Sequence, residues 1–186
     1  MTVVALSVTS LLSAQEEGAT VEKSLFNVQT GPVGIWVSNE LRLADQFALR
    51  TELGLELGIY GENEKGVEGA FMAPCISIEP RWYYNLKKRA EKGKNTAKNS
   101  ANIITVAVKF FPDTFTIGGH PDNINVPNQL SIVPKWMMRR HIGSSNFNYE
   151  FGGGVGYVGY LSDKNSNVDY GSNLAVDIHA RIGYTF

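Results

Sequence analysis

The sequence predicts an all-β fold, an eight-stranded antiparallel up-and-down transmembrane β-barrel. Three observations lead there. The final stretch, NLAVDIHARIGYTF, places Leu174, Val176, Ile178, Ala180, Ile182, Tyr184 and Phe186 at every second position. Ala175, Asp177, His179, Arg181, Gly183 and Thr185 fall between them, so a strand here has one apolar face and one charged or small face. The same two-faced pattern recurs along the chain. No run of about 18 apolar residues exists, which excludes a transmembrane helix, whereas barrel strands are half polar and escape such a scan.

The chain has 186 residues, enough for one domain. Its formal net charge of −1 provides no global field favouring nucleic acid or an anionic membrane. Nineteen glycines and 11% aromatics suit a wall of strands with tight turns and interfacial rings. The one cysteine, Cys75, has no partner for an internal disulfide.

Residues 1–14, MTVVALSVTSLLSA, resemble the apolar core and cleavage site of a signal peptide, with the cut near Ala14 and the barrel domain spanning 15–186. No Lys or Arg precedes the apolar run. Either such a leader starts upstream of Met1, or the segment is a buried strand or helix.

The strands follow in order. Lys23–Thr30 comes first, with Phe26 and Val28 alternating poorly with their neighbours. Gly31-Pro32 turns the chain into Val33–Leu43, where Val33, Ile35, Val37, Leu41 and Leu43 oppose Gly34, Trp36, Ser38, Glu40 and Arg42. After a turn at 44–46, Phe47–Tyr60 alternates most clearly. Phe47, Leu49, Thr51, Leu53, Leu55, Leu57 and Ile59 oppose Ala48, Arg50, Glu52, Gly54, Glu56, Gly58 and Tyr60. A period of 3.6 would scatter both charge signs over the apolar side, so period two fits better. A polar loop at 61–70 leads to Phe71–Asn85, and the basic connection 86–101 leads to Asn102–Phe111. The stretch 112–128 is rich in Gly, Pro and Asn and is expected to be a long loop. Gln129–Arg139, Asn146–Tyr160 and Asn173–Phe186 complete the set. Pro74, Pro80 and Pro134 fall within strands, and Pro134 is expected at a bulge because proline removes a ladder hydrogen bond.

Short turns at 44–46 and 141–145 share one end with the C-terminus. The variable stretches 61–70, 112–128 and 161–172 fall at the other end, a division typical of bacterial outer-membrane barrels. The very short first outer loop and the long inner connection 86–101 depart from it. Phe47, Trp82, Tyr84, Trp136, Phe147, Tyr149, Tyr184 and Phe186 lie on apolar faces near the inner end, as interfacial girdle residues do.

With its leader-like start, its alternating strands and the ending Arg181-Ile182-Gly183-Tyr184-Thr185-Phe186, the chain resembles the small eight-stranded outer-membrane barrels of the OmpA and OmpX type. The stretch Glu79-Pro80-Arg81-Trp82-Tyr83-Tyr84-Asn85 is similar to one in barrel proteins of Bacteroidetes-like bacteria. The resemblance implies a place in the outer membrane of a Gram-negative cell envelope, contact with its lipid, and a monomer. It further implies that the last strand is the insertion signal read by the barrel-assembly machinery, a role falling on Ile182, Tyr184 and Phe186. The family hosts structural anchors, adhesins and a few lipid-modifying enzymes, so the fold does not fix an activity.

The polar faces gather Glu40, Glu52, Glu56, Glu79, Glu150 and Asp177 against Arg42, Arg50, Arg81, Lys109, Lys135, Arg139 and Arg181. Eight strands leave an interior that side chains just fill, so ion pairs are expected to plug the bore and close it to diffusion, with a gated proton or ion path as the functional alternative. No catalytic or cofactor motif stands out. His120, His141 and His179 have no metal-ligand spacing with each other or with Cys75. His179 with Asp177 and Ser131 can be drawn as a hydrolytic set, but all three face the lumen, and a hydrogen-bonded interior His is the expectation. Gly152-Gly153-Gly154 lacks the Lys-Ser/Thr tail of a phosphate loop and instead eases curvature or admits bulky neighbours. The basic run Lys87, Lys88, Arg89, Lys92, Lys94 and Lys98 is a solvated turn or a contact for anionic headgroups. The expected role is that of a structural or surface-interacting membrane barrel and not of an enzyme. A soluble or secreted lipocalin-like ligand-binding barrel is the alternative.

Overall fold

A computed structural model describes residues 19–63, 66–118, 128–161 and 172–186. Eight antiparallel strands succeed one another around a closed barrel. They are β1 (Ser24–Gly31), β2 (Gly34–Ala44), β3 (Phe47–Asn63), β4 (Gly66–Trp82), β5 (Asn102–Phe111), β6 (Asn128–His141), β7 (Phe147–Leu161) and β8 (Ser172–Thr185). A short helix α1 (Leu86–Glu91) and a 3-10 turn (Ala97–Asn99) lie between β4 and β5. No helix among the described residues is long and apolar enough to cross a membrane. The leader-like segment 1–14 and His120 lie outside the described residues.

The two faces of every strand separate as alternation requires. Leu53, Val176 and Ile178 are 61%, 66% and 72% exposed, whereas Arg50 and Arg81 are wholly buried. The apolar side chains therefore cover the outer wall and the charges fill the bore. Even β1 alternates without a break, with Leu25, Asn27 and Gln29 buried and Phe26 and Val28 exposed.

Several local expectations need correction. Residues 61–63 and 66–70 of the polar stretch are not an open loop but continue β3 and β4, with Glu62 opposite Val67 and Asn63 opposite Gly66. Ladder hydrogen bonds hold such polar residues in strands where side-chain patterning says nothing. The basic connection 86–101 contains α1, because Leu86 buries completely while Lys87 and Lys88 stay exposed. Pro134 causes no bulge. The β6–β7 register is the same on both sides of it, with Ile132 opposite Tyr157 and Lys135 opposite Gly154. The ladder lapses between those two pairs. Pro80 behaves alike, since the β4–β5 ladder lapses between Ile78–Val108 and Arg81–Thr105. The register shift in the sheet falls instead between Arg42 and Ala44, against β3.

The base of the barrel is sealed. Val21, Ala48, Tyr83, Leu86, Ala101, Ile103 and Met137 form a buried apolar cluster there. Lys98 and Asn99 take left-handed φ values of 49° and 63°. This turn directs Asn99 into the bore, where Nδ2 donates to Glu40 (3.1 Å) and Oδ1 accepts from the Glu22 amide (2.7 Å). Asn tolerates that conformation better than most residues.

The upper end is uneven. β1 pairs β8 only from Asn27–Thr185 to Thr30–Ile182, whereas β7 pairs β8 up to Gly159–Ser172. β2 stops against β3 at Gly34–Glu56, whereas β3 and β4 remain paired up to Asn63–Gly66. Above the β1–β2 hairpin, the facing edges of β3 and β8 have no strand between them among the described residues.

Candidate functional site

Strand register places opposite charges side by side before any long-range contact forms. Glu40 lies opposite Arg50, and Arg50 lies opposite Glu79. Across the bore Arg139 lies opposite Glu150, and Glu150 lies opposite Arg181. Two rows of alternating sign thus run around the circumference, and opposite charges on neighbouring strands attract.

Closure brings the rows together. Glu40 accepts from Arg81 Nη1 (3.1 Å), Arg139 Nη1 (3.0 Å) and the Tyr83 hydroxyl (2.5 Å). Glu150 accepts from Arg139 Nε (2.6 Å), Arg81 Nη1 (3.2 Å), Arg50 Nη1 (3.3 Å) and His179 Nε2 (2.8 Å). The Tyr83 hydroxyl is wholly buried and donates to Glu40. Glu79 binds Arg81 (2.8 Å) and Lys135 (3.1 Å), and Glu52 binds Arg181 (2.6 Å) and, at short range, Arg50. Asn27, Asn148 and Thr185 fill the β1–β8 side with amide and hydroxyl contacts, Asn148 Nδ2 donating to Asn27 (3.1 Å) and Thr185 (2.8 Å).

Nearer the mouth the packing loosens. Lys109 Nζ donates to both oxygens of Glu56 (2.7 and 2.9 Å), and Trp36 Nε1 donates to the same carboxylate (2.9 Å). Asp177 lies 3.4 Å from Lys135 and 3.7 Å from Lys109. The Arg181 guanidinium stacks on the Trp36 ring at 3.5 Å, a cation–π contact. Trp36 fits because Gly54 has no side chain, since a Cβ there would lie 2.2 Å from the indole. Above this floor lies a cavity of about 380 Å³. Trp36, Glu56, Lys109 and Arg181 line it on the lumen side, and Val33, Val176 and Ile178 line it at the uneven wall.

The residues expected in the lumen divide as follows. Glu40, Glu52, Glu56, Glu79, Glu150 and Asp177 pair with Arg50, Arg81, Lys109, Lys135, Arg139 and Arg181. Arg42 does not join them. It sits half-buried at the base beside the register shift, with no carboxylate in ion-pair distance among the described residues. The imagined Ser131–His179–Asp177 set is not assembled, because His179 binds Glu150 and the lysines hold Asp177. Tyr83, Asn99 and Trp36 are the participants that charge counting misses. Tyr83 shares the parity of Glu79 and Arg81, and that was the available signal.

Ile182, Tyr184 and Phe186 face outward at the foot of β8. Tyr184 meets Phe147 at 5.3 Å and Phe186 at 5.0 Å between ring centroids, and Phe186 meets Phe26 at 5.6 Å. Beside them in the same lower zone, Phe47 stacks with Trp82 at 6.0 Å. Among the described residues no group of three or more His, Cys, Asp and Glu side chains is placed to hold a metal ion. No protein-family model, curated protein or solved structure matches the chain.

Proposed function

We propose that the chain is an integral outer-membrane β-barrel protein with a structural or surface-interaction role, its lumen plugged by ion pairs and closed to diffusion. The inversion of the faces carries this reading: apolar side chains cover the wall while paired charges fill the bore. Soluble monomers rarely expose contiguous apolar patches beyond a few hundred Å², whereas acyl chains cover such a belt. The aromatic zone at the base supports this reading, because Trp and Tyr favour the membrane interface. Ile182, Tyr184 and Phe186 serve as the insertion signal for the assembly machinery, and the barrel works as a monomer without catalytic chemistry. The upper connections carry whatever recognition exists.

A soluble lipocalin-like barrel is the second reading, favoured by the cavity of about 380 Å³ at the mouth. That fold keeps its apolar residues inside around the ligand. Here the bore below the cavity holds buried ion pairs. Electrophoresis in detergent with and without boiling separates the two. A membrane barrel migrates as a compact band until boiled and sediments with membranes. A monodisperse monomer in detergent-free buffer would refute the membrane reading.

A further inference from the structure

We propose that a basic cleft at the base binds the phosphate of an anionic phospholipid headgroup in the leaflet that meets this end. The proposal rests on the membrane reading above. Lys88, Arg89, Lys92 and Lys94, from α1 and the turn after it, face Arg140 at the foot of β6 across a cleft of about 480 Å³. No carboxylate lines it. Glu91, the one acid of segment 86–101, is not among its walls, and Asp45 is taken by Lys87 at 2.9 Å outside it.

The two arginines are fixed but not neutralised. Arg89 donates to the carbonyls of Ser100 (3.0 Å) and Asn95 (2.9 Å). Arg140 donates to the carbonyl of Arg139 (2.6 Å) and to Asn102 Oδ1 (2.5 Å). Every acceptor is uncharged. The six cations of the lumen network each have a carboxylate partner, and these five have none among the described residues. A guanidinium carries five N–H donors, so each arginine keeps donors for an anion. Phosphate oxygens suit that fork geometry, and the lysines add point charges around it.

The position of the cleft selects a lipid over a free anion. Tyr84 forms one wall, and its hydroxyl accepts from Trp136 Nε1 (3.0 Å) and Asn102 Nδ2 (3.1 Å). Trp136 and Trp82 face outward, 44% and 42% exposed, and Trp82 meets Tyr84 edge-on at 6.0 Å. A headgroup held here leaves its acyl chains alongside both indoles, at the depth where aromatic belts mark the interface.

Tryptophan quenching by brominated lipids tests this. The folded protein is placed in phosphatidylcholine bilayers containing equal fractions of brominated phosphatidylglycerol or brominated phosphatidylcholine. Trp82 and Trp136 report, because Trp36 is buried in the bore. The anionic lipid is expected to quench more, corresponding to about fivefold enrichment beside the indoles. The K88Q/K92Q/K94Q variant lowers the ratio, and the preference left over is what Arg89 and Arg140 hold. Those side chains make no hydrogen bond among the described residues, and an unchanged heat-dependent gel shift verifies the fold. Lys87→Gln, outside the cleft, keeps the preference. Equal quenching by the two lipids, or a preference left unchanged by the triple substitution, overturns the site alone. Loss of the preference in millimolar inorganic phosphate at constant ionic strength assigns the cleft to a soluble phosphate and overturns the lipid. Quenching by neither lipid overturns the membrane reading with it.

Discussion

At its base the barrel is shut by an apolar cluster, an inserted Asn99 and two carboxylates that three arginines share. At its mouth the same kinds of charge surround an open cavity, and the wall loses two strands, β1 and β2, on one side. The sequence pattern is equally regular in both halves. The difference comes from strand length. β1 ends at Gly31 and β2 begins at Gly34, so the upper parts of β3 and β8 rise past their neighbours. A bore closed all round excludes water and makes each ion pair matter, while an open one lets solvent screen it.

The sharpest way to break this contrast is to remove one carboxylate from each half. Glu40→Gln leaves Arg81, Arg139 and Tyr83 around an uncharged amide in a dry site. It is expected to cost about 3–5 kcal/mol in denaturant unfolding from detergent or vesicles. Glu56→Gln, whose side chain is 14% exposed at the mouth, is expected to cost about 1 kcal/mol. Equal losses would show that the mouth is as closed as the base.

Hydrogen exchange along β8 sharpens the contrast at smaller energies. From Ile182 to Thr185 the strand has partners on both sides, but from Leu174 to His179 it has only β7 among the described residues. Every second amide in the upper part is expected to exchange about tenfold faster than its β7-facing neighbours, ~1.4 kcal/mol of local opening. Uniform protection along β8 would mean that the seam is covered.

The smallest effect belongs outside the bore. Lys87 donates to Asp45 at 2.9 Å, and its hydrogen bond and charge hold that carboxyl below its ordinary value of 3.8. A depressed carboxyl stabilises the fold above its unfolded value, and the contribution is lost as pH falls through the lowered one. Lys87→Ala is expected to move the Asp45 titration upward by NMR with no detectable change in unfolding. A change comparable to that of Glu40→Gln would contradict the ranking of buried over exposed pairs.

Residue parity carried most of the fold. Arg50, Glu52 and Glu79 face the bore because each sits an even number of positions from a neighbour of its own face. Arg42 shares that parity and still stays out, since the register shift between Arg42 and Ala44 breaks the spacing where the strand ends. Leu86 gave no warning of a buried helix start, because one apolar residue in a basic run has no periodicity to reveal it. The continuation of β3 and β4 above Tyr60 was hidden for a related reason: ladder hydrogen bonds are indifferent to side-chain polarity.

By itself the sequence determined which side chains face outward and which face the bore, because a strand alternates whatever its neighbours are. Only the tertiary structure decided which charges meet. Arg50 finds Glu150 at a separation of 100 residues, and Glu40 finds Arg139 at 99, and both contacts exist only once the sheet has closed on itself. Closure also fixed which end is sealed, since strand ends that differ by a few residues leave no mark on a period of two.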